Sequence, residues 1–185
     1  MKCTAVATFP QILIITGLMA AGKSSVAQAI AERLPKSVHL RGDTFRKMIV
    51  NGRAEVTPEL SPEALQQLSL RYRIACDACE AYADAGFTVI YQDVILGEYL
   101  NEVFTRLSRW SPGVLVLNPS LDVVARRDAE RRKTAYAGDW TPASLAAGLQ
   151  HTPRIGLWLN TSAMTVEQTA DFVLGHAVET TAGKR

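Results

Sequence analysis

The chain has 185 residues, 48% hydrophobic and 21% charged, with a formal net charge of +2. That length suits one domain with a sizeable core, and so near a balance of charge gives no reason to expect a nucleic acid or an anionic membrane as partner. Three cysteines, Cys3, Cys76 and Cys79, do not make a disulfide framework, and no apolar run approaches the ~18 residues a membrane-spanning helix needs.

The first element is carried by QILIITGLMAAGKSSV at 11–26. Lys2, the run Ile12 to Ala21 and the small residues Ala20, Ala21 and Gly22 loosely imitate a secretory signal. However, Pro10 and Gly17 bracket a short β-branched block, Ile12 to Thr16, which reads as a buried strand. A glycine turn follows, then a good helix from Ser24. The segment is therefore a strand–loop–helix unit, and a cytoplasmic protein is expected.

That loop spells G-x-x-x-x-G-K-[ST] at Gly17, Leu18, Met19, Ala20, Ala21, Gly22, Lys23 and Ser24, with Ser25 next in the helix. The two glycines let the backbone curl so that amide N–H groups converge on an anion. The helix beginning near Lys23 adds the positive end of its dipole. Lys23 is expected to reach the β- and γ-phosphates and Ser24 to ligate Mg²⁺. Residues 17–25 are thus the expected nucleotide-binding loop, with Lys23 also catalytic.

Further along, a second strand is predicted over Ser37 to Arg41, a helical start at Asp43 to Arg46 and a loop at Asn51-Gly52. A long helix runs from Pro62 to Ala85, with Ser61 as N-cap and Gly86 as its stop. Cys76 and Cys79 share one face of it, and with no second ligand pair at metal spacing they read as core packing. Strands follow at Phe87–Gln92, Val114–Leu117 and Ile155–Leu159, with helices near 98–109, 121–132, 142–150 and 165–178. Strands that are apolar throughout, alternating with helices, predict an α/β fold with a parallel sheet covered on both faces. No repeat or linker divides residues 1–185.

Ligands of such sheets collect beyond the carboxyl ends of the strands. After strand two stand Arg41, Asp43 and Arg46, and after strand three stands Asp93. Two carboxylates and two arginines beside a triphosphate suit phosphoryl transfer. Asp43 is expected to accept or orient the acceptor hydroxyl, a role compatible with capping the next helix. Asp93 leaves two functional roles open, Mg²⁺ through water or substrate contact, against a plain turn aspartate. Arg46 and Arg41 are candidates to hold an anionic group, or are solvated. The run Arg126 to Tyr136 holds Arg127, Arg131, Arg132 and Lys133, with Gly138 beyond it. On a helix Arg127 and Arg131 share a face. Such runs are commonly solvated faces, but this one follows strand four, where an arginine-bearing lid (about 127–141) can close over the nucleotide. A nucleic-acid patch would need interleaved aromatics that the run lacks.

The order of loop, strand-end aspartate, arginine-rich segment and the terminal unit Leu157-Trp158-Leu159-Asn160-Thr161-Ser162 resembles the small P-loop kinases: gluconokinases, adenylylsulfate kinases and the chloramphenicol phosphotransferase-like proteins. His39 to Arg46 resembles the adenylylsulfate-kinase pattern, and Arg127 to Lys133 the lid of the chloramphenicol phosphotransferase type. The resemblance implies a P-loop NTPase sheet of five parallel strands in the order 2-3-1-4-5, ATP with Mg²⁺, and an acceptor between the end of strand two and the long helix. It makes Asp43 the base, sets Arg127 near adenine or phosphate and makes Arg131 the lid arginine, with Lys23, Asp43 and Arg131 as the catalytic set. Asp43, Arg46 and Asp93 become the acceptor contacts, and Ser24 and Asp93 the metal contacts. Residues 47–72, together with Arg73, match no acceptor signature.

The expected activity is an ATP-dependent kinase acting on a hydroxyl of a small sugar-, nucleoside- or antibiotic-like molecule, without nucleic acid or membrane partners. A polynucleotide 5′-hydroxyl kinase, which the balanced charge disfavours, and a nucleotide-binding regulatory ATPase are the alternatives. Neither composition nor motif decides between a monomer and a homodimer.

Overall fold

Alternation along the inner strands builds both faces of the sheet at once. In β1 (Ile12–Gly17), Ile12 and Ile14 point into one apolar cluster while Leu13 and Ile15 point into another, as the two-residue period of a strand requires. All four side chains are fully buried. At ~1.5–3 kcal/mol each, this strand alone removes enough apolar surface from water to rival a domain's net stability, most of which chain entropy offsets. A strand buried on both sides is sustainable only under helices on both faces.

The computed structural model describes residues 9–57, 59–130 and 142–176, with side chains of the last segment from Leu145 onward. The elements after β1 are α1 (Lys23–Glu32), β2 (Ser37–Arg41), α2 (Asp43–Lys47), α3 (Pro62–Asp84), β3 (Thr88–Gln92), α4 (Glu98–Arg106), β4 (Gly113–Leu117), α5 (Leu121–Ala129), α6 (Pro142–Gln150), β5 (Leu157–Leu159) and α7 (Val166–Gly175). The strands lie in the order β2-β3-β1-β4-β5, and every pairing is parallel. This is the expected topology. Helices α3 and α4 cover the first cluster, which contains Tyr72, Cys76, Cys79, Leu100 and Val103. Helices α1 and α7 cover the second, through Val26, Ile30, Ala170 and Val173.

The cysteines do what core residues do. Cys76 and Cys79 are fully buried and free, and burial lifts the Cys76 thiol to about 12. Ser61 caps α3 as expected, its hydroxyl accepting the Ala64 amide at 3.1 Å. Some boundaries differ from expectation. The strand predicted over 155–159 is limited to β5, because the Ile155 amide bonds to the Pro153 carbonyl and Gly156 takes φ +71°. A side chain at Gly156 would come within 2.3 Å of the Val114 carbonyl. The helix predicted over 98–109 stops at Arg106 and gives way to a tight turn at Ser108–Trp110. There Ser111 sits in the left-handed region, at φ 45°, and Pro112 blocks further helix. Helix α5 ends at Ala129 with Glu130 as its C-cap, and residues 131–132 of the 121–132 prediction lie outside the described residues. Among the described residues no helix is long and apolar enough to cross a membrane.

Candidate active site

The carboxyl ends of β1, β2 and β3 open onto one side of the sheet, and the chemistry gathers there. At the end of β1, Gly17 has φ +134°, and an added Cβ would meet the Leu117 carbonyl oxygen at 2.3 Å. Only glycine fits. Ala20 follows at φ 60° and Gly22 at φ 97°, so three left-handed turns in six residues roll the backbone into a curl. For Ala20 the conformation costs on the order of 1 kcal/mol. Helix α1 begins at Lys23 with no side-chain cap and no acidic residue in its first turn. With no side chain capping them, these first amides suit an anion. Lys23, 8% exposed, lays its ammonium on the curl, donating to the Gly17 and Leu18 carbonyls at 3.0 and 2.7 Å. Ser24, on the open side, donates to Gln92 Oε1 at 3.3 Å.

Beyond this loop lies a cavity of about 760 Å³. Lys23 and Ser24 form one end of its wall, and Asp43, Arg46 and Asp93 form another part. Three of the expected strand-end residues thus share one space with the phosphate loop. Arg41 does not belong to it and stands exposed at the end of β2.

Asp93 is the most constrained group. It is 4% exposed, and its Oδ1 accepts the Val94 amide at 2.8 Å. Its Oδ2 lies 3.1 Å from Arg71 Nε, yet off the line a hydrogen bond needs, so both buried atoms lack a hydrogen-bonding partner. Burial raises the Asp93 pKa, against the opposing pull of Arg71, the Val94 amide and Lys23. The carboxylate presses on the backbone at Gly42, where an added Cβ would stand 2.0 Å from Oδ2. The turn carrying Asp93 is pinned from both sides. Thr16 Oγ1 donates to the Ile95 carbonyl and accepts its amide, at 2.8 and 2.9 Å, while Tyr72 donates to the Val94 carbonyl at 2.7 Å.

The other charges near the cavity are also matched. Asp43 opens α2 and pairs with Lys47 one turn on. Arg46 pairs with Glu55 at 2.9 Å. Arg71 and Tyr72 lie in the expected acceptor stretch, where no signature assigned either a specific role. The available signal was their place on the helix facing the strand-end aspartates. Gln92 was missed, because it was counted only as the last residue of a strand.

A second cavity, about 380 Å³, lies on the opposite flank of the loop, between Gly22, Ser25, Arg127, Thr161 and Thr165. Arg127 spans it, donating to the Ala21 carbonyl at 3.3 Å and the Thr161 carbonyl at 3.1 Å. Arg127 thus stands beside the loop of residues 17–25. Arg131 and the rest of the predicted lid, residues 131–141, fall outside the described residues.

This fold and this loop can be set beside known proteins. Residues 12–154 match the profile of the family AAA_33, described as an AAA domain. The chain belongs to that family. No curated protein matches it in sequence. Among solved structures, it is similar to the Mycobacterium tuberculosis APS kinase in complex with AMPPNP and APS, with TM-score 0.66, 20% identity and coverage of 90% of this chain and 96% of that one. A sugar kinase from Janibacter sp. HTCC2649 gives TM-score 0.65 at 18% identity, covering 89% of this chain and 92% of the other. The Deinococcus radiodurans tunicamycin resistance protein gives 0.64 at 18%, covering 91% and 95%. The chain thus has the P-loop kinase fold, in agreement with the resemblance read from its motifs.

Proposed function

We propose that the protein is an ATP-dependent kinase that moves the γ-phosphoryl group onto a hydroxyl of a small molecule. One observation carries this reading: a single cavity joins Lys23 and Ser24 of the phosphate loop to Asp43, Arg46 and Asp93, so donor and acceptor can meet in one space. The bond between the γ-phosphorus and the β–γ bridging oxygen breaks as one to the acceptor oxygen forms. The acceptor proton passes to the Asp43 carboxylate, and ADP departs with the bridging oxygen. Lys23 moves from the loop carbonyls to the β- and γ-phosphates and offsets charge there. Arg127 holds the nucleotide's far side from the smaller cavity, and Arg131 serves as the lid arginine.

For Mg²⁺, the donor chemistry fits a phosphate-borne ion. Among the described residues no cluster of three acidic, histidine or cysteine side chains could hold a metal. Ser24 and the neighbouring Gln92 and Asp93 nevertheless offer only oxygen on the cavity wall, the ligand type Mg²⁺ takes alongside phosphates and water. Ser24 would hold the ion directly, with Asp93 behind it through water, and the ion would neutralise charge on the phosphate oxygens. Transfer of labelled γ-phosphate to a panel of hydroxyl compounds tests the proposal. Lys23→Ala is expected to lower transfer by 10²-fold or more, and Asp43→Asn by ~10²–10⁴. Transfer by Lys23→Ala at the wild-type rate would refute the phosphate-loop reading.

A further inference from the structure

The acceptor end of the large cavity has a charge pattern that selects among hydroxyl compounds. Its cations are already matched: Arg71 by Asp93 at 3.1 Å and Arg46 by Glu55 at 2.9 Å. Lys23 is directed to the phosphate loop. Setting Lys23 aside, the described residues of the wall hold three carboxylates (Asp43, Glu55, Asp93) and two arginines (Arg46, Arg71). A carboxylate or phosphate on the acceptor would be desolvated among groups whose positive charge is already spent, which is unfavourable.

Most of the remaining wall is apolar. Met19, Leu68, Leu96 and Tyr99 are packed on the core but only partly buried, and the surface they keep contributes to the cavity. Tyr99 also tilts against Tyr72, with ring centroids 5.4 Å apart. Against this apolar side stands one polar spot. Arg71 Nε and Asp93 Oδ2 face each other without a hydrogen bond, and the Asp93 side chain is 3% exposed. Both atoms are shut off from the cavity, so a ligand meets only the rest of this pair: a hydroxyl beside it brings no further charge, whereas an anion would stand beside the Asp93 carboxylate.

We propose, on the phosphoryl-transfer reading above, that the acceptor is an uncharged amphiphilic hydroxyl compound. Its hydroxylated end lies against Arg71 and Asp93 and its aromatic or aliphatic body against Met19, Leu68, Leu96 and Tyr99. The two arginine–carboxylate pairs make the site reject phosphorylated and carboxylated analogues.

Matched pairs test this: nitrophenyl glucoside with nitrophenyl glucuronide, thymidine with thymidine monophosphate, phenylpropanediol with phenyllactate, and free glucose as the compound without an apolar body. Transfer of labelled γ-phosphate is measured on each, and AMPPNP binding separately by thermal shift. The expected result is transfer to at least one neutral amphiphile, with kcat/KM at least tenfold above its anionic partner and, for the glucoside, above glucose. Glu55→Gln, which releases Arg46, is expected to narrow the preference several-fold, read as binding of each pair member to the AMPPNP-loaded protein. Preference for the anionic members or for glucose would overturn the proposal. So would an unchanged ranking in Glu55→Gln, or AMPPNP binding with no transfer to any neutral amphiphile. Failure to bind AMPPNP would instead sink the kinase reading on which this one rests.

Discussion

The two ends of the large cavity are built by opposite means. The phosphate end is made of backbone: glycine-enabled turns, uncapped amides and one lysine, all within eight consecutive residues, 17–24. The acceptor end is made of side chains, Met19 of that same loop together with residues of α2, the segment after it, α3, the end of β3, α4 and α6. A backbone device recognises what all its ligands share, the phosphates, and a local motif suffices to write it. A side-chain device recognises what distinguishes one ligand from another, and no local motif records it.

The sharpest way to break this contrast is to unpair the acceptor end alone. Arg71→Met strips the buried Asp93 of its ion-pair partner and leaves only the weaker pull of Lys23, where burial already raises its pKa. Losing one partner of a buried pair costs about 3–5 kcal/mol, to be read from denaturant unfolding. Part of that loss should return in the double variant Arg71→Met with Asp93→Asn, which removes the stranded charge. An undiminished loss in the double variant would mean that Arg71 acts through packing on Tyr72 rather than through its charge.

Two glycines separate the ends more finely. Gly17→Ala forces a Cβ to within 2.3 Å of a backbone carbonyl, which cannot swing aside. A destabilisation on the order of 3 kcal/mol is expected, together with loss of AMPPNP binding. Gly42→Ala meets the Asp93 carboxylate instead, at 2.0 Å. It should keep AMPPNP binding in calorimetry while lowering transfer by at least tenfold. Equal damage to nucleotide binding from both would erase the distinction between the two ends.

The same contrast explains what the sequence could tell. Strands β1, β3, β4 and β5 were legible because each carries an apolar block, whereas the edge strand β2 alternates polar and apolar residues, Ser-Val-His-Leu-Arg; the order 2-3-1-4-5 came with the resemblance that the phosphate loop anchored. Lys23 and Ser24 were legible because their chemistry is fixed by eight consecutive letters. Asp43 and Asp93 could be singled out because they stand where strands end. Arg71 could not: its partner is 22 positions away, and at the sequence level an arginine on a long helix looks like any solvated one. The limits of β5 were hidden for a related reason, since Gly156 is set by its approach to Val114, a contact between neighbouring strands.

The smallest expected effect lies at the sheet's edge, in β2, and serves as a control outside both cavities. His39 Nδ1 meets Gln28 Oε1 at 2.8 Å, and Gln28 in turn donates to Glu32 at 2.9 Å, so Nδ1 carries the ring proton. The added proton of an imidazolium would have to sit on Nε2, which is buried without a partner. Burial, then the charge of Arg41, accordingly lowers the His39 pKa from 6.5 to about 4. Between these values the unfolded chain binds the proton and the folded chain does not, so stability rises with pH across that window and levels off above it. The ring is only half-buried, and water screening reduces the effect to about 1 kcal/mol. Urea unfolding at pH 4.5 and 7 should show this difference, and His39→Gln should lose it while its AMPPNP binding at pH 7 matches wild type. A pH slope that persists in His39→Gln would assign the titration to another group.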